Sequence, residues 1–219
     1  MINVIENELA QSVQRIVKDK FSTEGSGHDW FHIERVLKNA LHIAKTEGGD
    51  LEIITLGALL HDIADAKFHG GDKTVGPRET RRILLEKGAD EKLISEVETI
   101  VAEVSYSTGK IPTSLEGKIV QDADRLDAIG AIGIARCFAY GGFKGFLLHD
   151  PADPPLENDD EIRKEYHTRK GGSLNHFYEK LFRIKDKLNT KTATKIAQGR
   201  DQFMREYVKQ FLAEWDGKR

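Results

Sequence analysis

A single cysteine, Cys137, stands in a chain of 219 residues. No intrachain disulfide can form, and a structural zinc cage of thiolates is excluded. Proline is scarce too: three of its five residues fall in one stretch, FLLHDPADPPLENDDEIRKEYHTRKGG. The rest of the chain is therefore open to long helices. No excess of basic charge is present, with 33 Lys and Arg against 36 Asp and Glu, so no global field would hold a nucleic-acid backbone and stable nucleic-acid binding is not expected. Apolar runs fall far short of a membrane span. The start, MINVIENELAQSV, carries acids and lacks the apolar core of a signal peptide. The expectation is a cytoplasmic soluble protein without a membrane partner. Alternating runs long enough for a core strand are missing, as are internal repeats.

What is there is helical periodicity. Val4, Ile5, Leu9, Val13, Ile16 and Val17 trace one apolar stripe, and Trp30, Ile33, Val36, Leu37, Ala40, Ile43 and Ala44 trace a second. Gly48-Gly49 closes that helix and Asp50 suits the cap of the next. Pro77 fits the first turn of a short helix that Gly88 stops. Leu93, Ile94, Val97, Ile100, Val101 and Val104 keep a three-four spacing, and a long helix is expected from about Leu115 towards Phe138. From Gly141 to Gly172 the pattern dissolves into a long loop, functional or mobile. Two C-terminal helices follow. The reading is all-α, one domain: a core at about 22–140, a loop at about 141–172, and a helical pair at about 173–216. The last apolar stripe suits either internal core or a homodimer contact.

The chemistry starts at ALLHDIADAKF, residues 58 to 68, where His61 and Asp62 end an apolar helix. A carboxylate beside an imidazole is costly there unless something pairs with both. His32 shares the inward edge of its helix with Val36 and Ala40. In QDADRLDAIG, Asp124 and Asp127 lie on one helix face with Val120, while Asp122 points elsewhere. His32, His61, Asp62 and Asp124 are thus hard or borderline ligands on three helices, and two carboxylates would make a divalent ion formally neutral. Imidazole and carboxylate without sulfur suit Mn, Mg, Fe, Co, Ni or Zn, with Mn the favoured choice. An octahedral ion so held keeps two positions for water or substrate oxygen.

HxxRV around His32, the doublet His61-Asp62 and DADRLDAIG around Asp124 resemble the HD-domain superfamily of metal-dependent phosphohydrolases. GHDWFH, HDIADAKFHGGD and the late HFYEKL stretch resemble its YpgQ/YedJ-like bacterial subfamily, which extends the likeness over nearly the whole chain. The resemblance implies an HD-type helical bundle with one divalent metal ion held by His32, His61, Asp62 and Asp124. Asp124 is preferred to Asp127 because it precedes a basic residue, Arg125. Asp127 would then sit behind the ligands, paired with Arg35. Asp65 occupies the position of an acid that several relatives use in proton transfer, here shorter by a methylene than the glutamate of some members. The implied activity is pyrophosphohydrolysis of a (deoxy)nucleoside triphosphate to monophosphate and pyrophosphate. The alternatives are a nucleoside monophosphate phosphatase and a non-catalytic metal- or nucleotide-binding module. Some HD-fold proteins hold two irons, but no convincing extra histidine pair stands out here.

Around this set, His28, Lys67, Lys118, Lys180 and Lys187 are candidates to touch substrate, the lysines by holding a polyphosphate tail. Asp29 reads as a helix-start acid. Trp30 and Phe31, on an amphipathic helix, read as core.

Overall fold

The computed structural model describes residues 7–22, 29–64, 72–104, 109–156, 158–165 and 171–218. Among them every regular element is helical, so the protein is all-α. The chain divides into two compact units, one of Met1–Asp124 with Asn189–Thr192, the other of Arg125–Leu188 with Ala193–Arg219.

In the first unit, helices begin where side chains satisfy the backbone N–H groups that a first turn leaves open. Asn7 accepts from Leu9 and Ala10 at the head of α1 (Glu8–Lys20). Asp29 accepts from the His32 N–H at 2.9 Å and starts α2 (Trp30–Glu47). Asp50 does the same for Glu52 and Ile53 at α3 (Leu51–Leu60). Between α2 and α3 the chain turns through Gly48, at φ +83°, a conformation costly for any residue with a Cβ.

The unit's axis is α3. Its residues from Ile54 to Leu60 are all buried, which is why its sequence is apolar on every side. Helices α1, α2 and α5 (Glu91–Val104) pack around it. Gly57 lets neighbours close in: a Cβ there would stand 3.1 Å from Ile100 Cγ2 and 3.3 Å from Val120 Cγ2. Helix α4 (Val75–Glu86) pairs with α5, joined on the outside by Arg81, which reaches both Glu91 and Glu98 at 2.7 Å. Along α2 the apolar stripe faces inward, with Trp30 8% exposed, but Phe31 is 62% exposed. This corrects the expectation that both aromatics are core. Phe31 falls on the same helix face as the exposed Lys38 and His42.

The long helix expected over 115–138 is two helices: α6 (Leu115–Asp127) and α7 (Gly130–Lys144), bent by 63°. Gly130 makes the corner at φ +79°, and a Cβ on it would meet Arg200 Cγ at 3.0 Å. Arginines then supply the donors that the last carbonyls of α6 need. Arg200 donates to the Leu126 carbonyl, and Arg136 donates to the Asp127 carboxylate at 2.9 Å.

The rest of the second unit also differs from expectation in detail. The stretch 141–172 contains the end of α7 and a helix of its own, α8 (Asp159–Glu165). Its neck is closed by backbone bonds from Ser173 to Leu147 and from Leu174 to Leu148. The first helix of the C-terminal pair is irregular: a π-helical turn (Phe177–Leu181), then α9 (Phe182–Ile184) and a 3₁₀ turn (Lys185–Lys187). Only α10 (Lys191–Trp215) is long. Phe138, Phe177, Tyr207 and Phe211 fill this unit, with successive ring centroids about 6 Å apart.

Because a side chain on Gly57 would press on Ile100 of α5 and Val120 of the helix that carries Asp124, Gly57→Val should overpack the first unit and cost about 1–3 kcal/mol. A fall in the urea midpoint with far-UV circular dichroism unchanged at zero denaturant is the expected result.

Candidate metal centre

The cluster lies wholly within the first unit. His32 stands in the first turn of α2 on its buried side, His61 and Asp62 follow directly on α3, and Asp124 is one turn from the end of α6. His61 Nδ1 lies 2.8 Å from the Ala58 carbonyl oxygen. A carbonyl only accepts, so Nδ1 carries the proton and Nε2 presents its lone pair to the cluster.

There the donors converge. His61 Nε2 is 3.3 Å from His32 Nε2. Asp62 Oδ2 is 3.5 Å from His32 Nε2 and 3.6 Å from His61 Nε2. Asp124 Oδ1 is 3.6 Å and 4.0 Å from the same two nitrogens. His32, His61 and Asp62 form a group whose ligand atoms all lie within 4.8 Å of one another. Donors so placed need a positive centre between them, either a proton on His32 Nε2 or a shared cation. The spacings suit atoms sharing one ion at metal–ligand distances of about 2.0–2.2 Å. Chemistry and spacing both fit a divalent metal.

Exposure grades across the cluster. The side chains of His32 and His61 are 1% and 3% exposed, those of Asp62 and Asp124 20% and 29%. The imidazoles make a buried floor and the carboxylates a more exposed rim.

Arg35 is half-buried on α2. Asp127 is 2% exposed and belongs to the second unit, where Arg136 donates to it. Lys118, six residues before Asp124 on α6, points roughly 120° away from it around the helix. Lys180 and Lys187 lie in the second unit. His28, Asp65 and Lys67 lie outside the described residues.

Two residues that sequence reasoning passed over support the cluster. Asn39, two turns along α2 from His32, donates to the carbonyl of Ala123, the residue before Asp124. Asp122 is fully buried and accepts four hydrogen bonds from Asn189 and Thr190. Burial pushes its carboxyl above the ordinary aspartate value, against the pull of those bonds. An acid on the apolar side of a helix was the available signal.

The class that this fold and cluster define is the HD-superfamily hydrolases, and the chain belongs to the HD-domain family. The family model described as HD domain matches residues 30–129, which contain all four converging side chains. YpgQ of Bacillus subtilis is 36% identical over 216 residues, covering 97% of this chain and 96% of its own. A crystal structure of YpgQ in complex with ADP superposes with a TM-score of 0.74 at 34% identity, covering 96% of this chain and all of that one. An HD-superfamily hydrolase from Bacillus thuringiensis matches with a TM-score of 0.75 at 41% identity, over 95% and 97% of the two chains. A protein from Lactobacillus plantarum reaches a TM-score of 0.81 at 36% identity, over 97% and 99%.

If one cation joins the four side chains, chain prepared without chelator should carry close to one divalent ion by elemental analysis. Added Mn²⁺ should raise the melting midpoint of the stripped protein by mass action, and Asp62→Asn should abolish that rise.

Proposed function

We propose that this protein is a divalent-metal-dependent phosphohydrolase acting on nucleotides, which cleaves a (deoxy)nucleoside triphosphate to the monophosphate and pyrophosphate. The observation that supports the reading is the grouping of His32, His61 and Asp62, with Asp124 Oδ1 3.6 Å from His32 Nε2, and with the carboxylates more exposed than the imidazoles. The likeness to YpgQ, whose structure was solved with ADP, supports a nucleotide substrate.

In this reading His32 and His61 would hold the ion, and Asp62 and Asp124 would balance its charge. Manganese is the proposed metal, on the oxygen and nitrogen donor set. A divalent ion held there would supply Lewis acidity, polarising a phosphoryl oxygen and making water acidic enough to attack near neutral pH. Water oxygen bonds to the α-phosphorus, the bridge to the β-phosphate breaks, and pyrophosphate departs. The Ala58 carbonyl keeps the His61 proton on Nδ1, so Nε2 stays a donor of electrons throughout. Asp65 is the proposed proton-transfer group, taking a proton from the water or giving one to the leaving oxygen. Lysines among Lys67, Lys118, Lys180 and Lys187, with His28 and Arg35, are proposed to meet the phosphates.

Incubation of the Mn²⁺-loaded protein with a panel of nucleoside tri-, di- and monophosphates checks the bond that breaks. Release of pyrophosphate from triphosphates is expected. Orthophosphate from monophosphates would point to a nucleotidase, and release of neither would leave a binding module.

Two variants separate the roles. Asp124→Asn should lower kcat/KM about a hundredfold or more and weaken Mn²⁺ binding. Asp65→Asn should keep Mn²⁺ affinity while kcat falls by about 10²–10⁴.

A further inference from the structure

Residues Asn189–Thr192 belong to the first unit although the chain on both sides belongs to the second. Side chains account for that. Asp122 takes N–H and Nδ2–H of Asn189 at 2.8 Å each, and N–H and Oγ1–H of Thr190 at 2.7 and 2.8 Å. Gln121 accepts from Asn189 Nδ2 at 3.0 Å, and its own amide donates to the Lys110 carbonyl at 3.0 Å. Thr192 N–H donates to Glu47 Oε1, in the last turn of α2, at 2.7 Å. Gln121, Asp122 and Thr190 are 1%, 0% and 6% exposed.

These four residues therefore join α2, which carries His32, to α6, which carries Asp124. Four donors on one side chain demand a carboxylate, because an amide has a single acceptor oxygen and would turn its own N–H groups towards donors. The tie works as a lever. Helix α2 is fixed to α6 at Asn39 through the Ala123 carbonyl, and again at its far end through Glu47. Two separated fixings set the angle at which one helix passes the other. His32 is seven residues from Asn39, roughly 10 Å along the axis, so a rotation of about 5° would move it by about 1 Å. Metal–ligand distances tolerate only about 0.2 Å.

We propose that Asn189–Thr192 is a staple that holds the metal centre in register, with Asp122 and Thr190 as positioning residues for the His32–Asp124 pair. The inference rests on the metal-centre reading above. No member of the staple is one of the four donor side chains. The staple sets affinity for the ion by fixing the donors before the ion arrives.

The test uses the full chain, stripped of metal and titrated with Mn²⁺, with the free ion followed by electron paramagnetic resonance. Thr190→Val removes one hydroxyl donor at nearly constant shape, Thr190→Ser keeps it, and Asp122→Asn disrupts the whole cluster. Thr190→Val and Asp122→Asn should each weaken Mn²⁺ binding about tenfold and broaden the signal of the bound ion, while Thr190→Ser stays at the wild-type value. If Asp122→Asn does not fold, Thr190→Val against Thr190→Ser decides. A lower melting midpoint of the stripped variants with Mn²⁺ affinity unchanged would make the contacts purely structural and overturn the staple alone. A wild-type chain that binds no Mn²⁺ would overturn the metal-centre reading together with it.

Discussion

The structure depends on a local imbalance of charge. Two imidazole nitrogens stand 3.3 Å apart and each has an oxygen of Asp62 and of Asp124 within 4.0 Å, with the His61 tautomer set by a carbonyl so that a lone pair faces inward. Such an arrangement is strongly favoured around a cation. The scaffold sets the donors together in advance: His61 and Asp62 follow directly on a helix buried on all sides, α3.

Burial then sorts the four donors into roles. A carboxylate left exposed costs little, whereas an imidazole in its neutral form tolerates complete burial. The histidines accordingly form the floor and the aspartates the rim. That gradient gives the centre a direction, closed towards the core and more open on the carboxylate side. A hydrolase needs this asymmetry, since the same ion must be fixed from one side and reached from the other.

Helix α6 shows how one element serves two ends. Its residues up to Asp124 belong to the first unit and Arg125–Asp127 to the second. Its final carbonyls would be left short of donors by the turn at Gly130, and Arg200 supplies one. Asp127 is buried in this corner with Arg136 as its partner. A residue that helical spacing places on the Asp124 face thus has its charge met by a cation of its own unit.

Local chemistry was readable without coordinates. Asp and Gly at helix ends, three-four spacing of apolar residues, and the absence of alternation act over a few residues, so most of the helices up to α5, the starts at Asp29 and Asp50, and the all-α class follow from the sequence, while the Asn7 cap of α1 went unread. The ordered motif around His32, His61-Asp62 and Asp124 was legible too, because each donor lies on or beside an apolar stripe. What stayed hidden is decided by contacts between distant segments. The corner at Gly130 reads as continuous helix until Arg200, seventy residues on in the chain, packs against it. Asp122 reads as idle until Asn189 and Thr190 arrive. Periodicity tells which face of a helix is apolar; only the packed fold tells what stands opposite a polar group on that face, and so whether its charge is met.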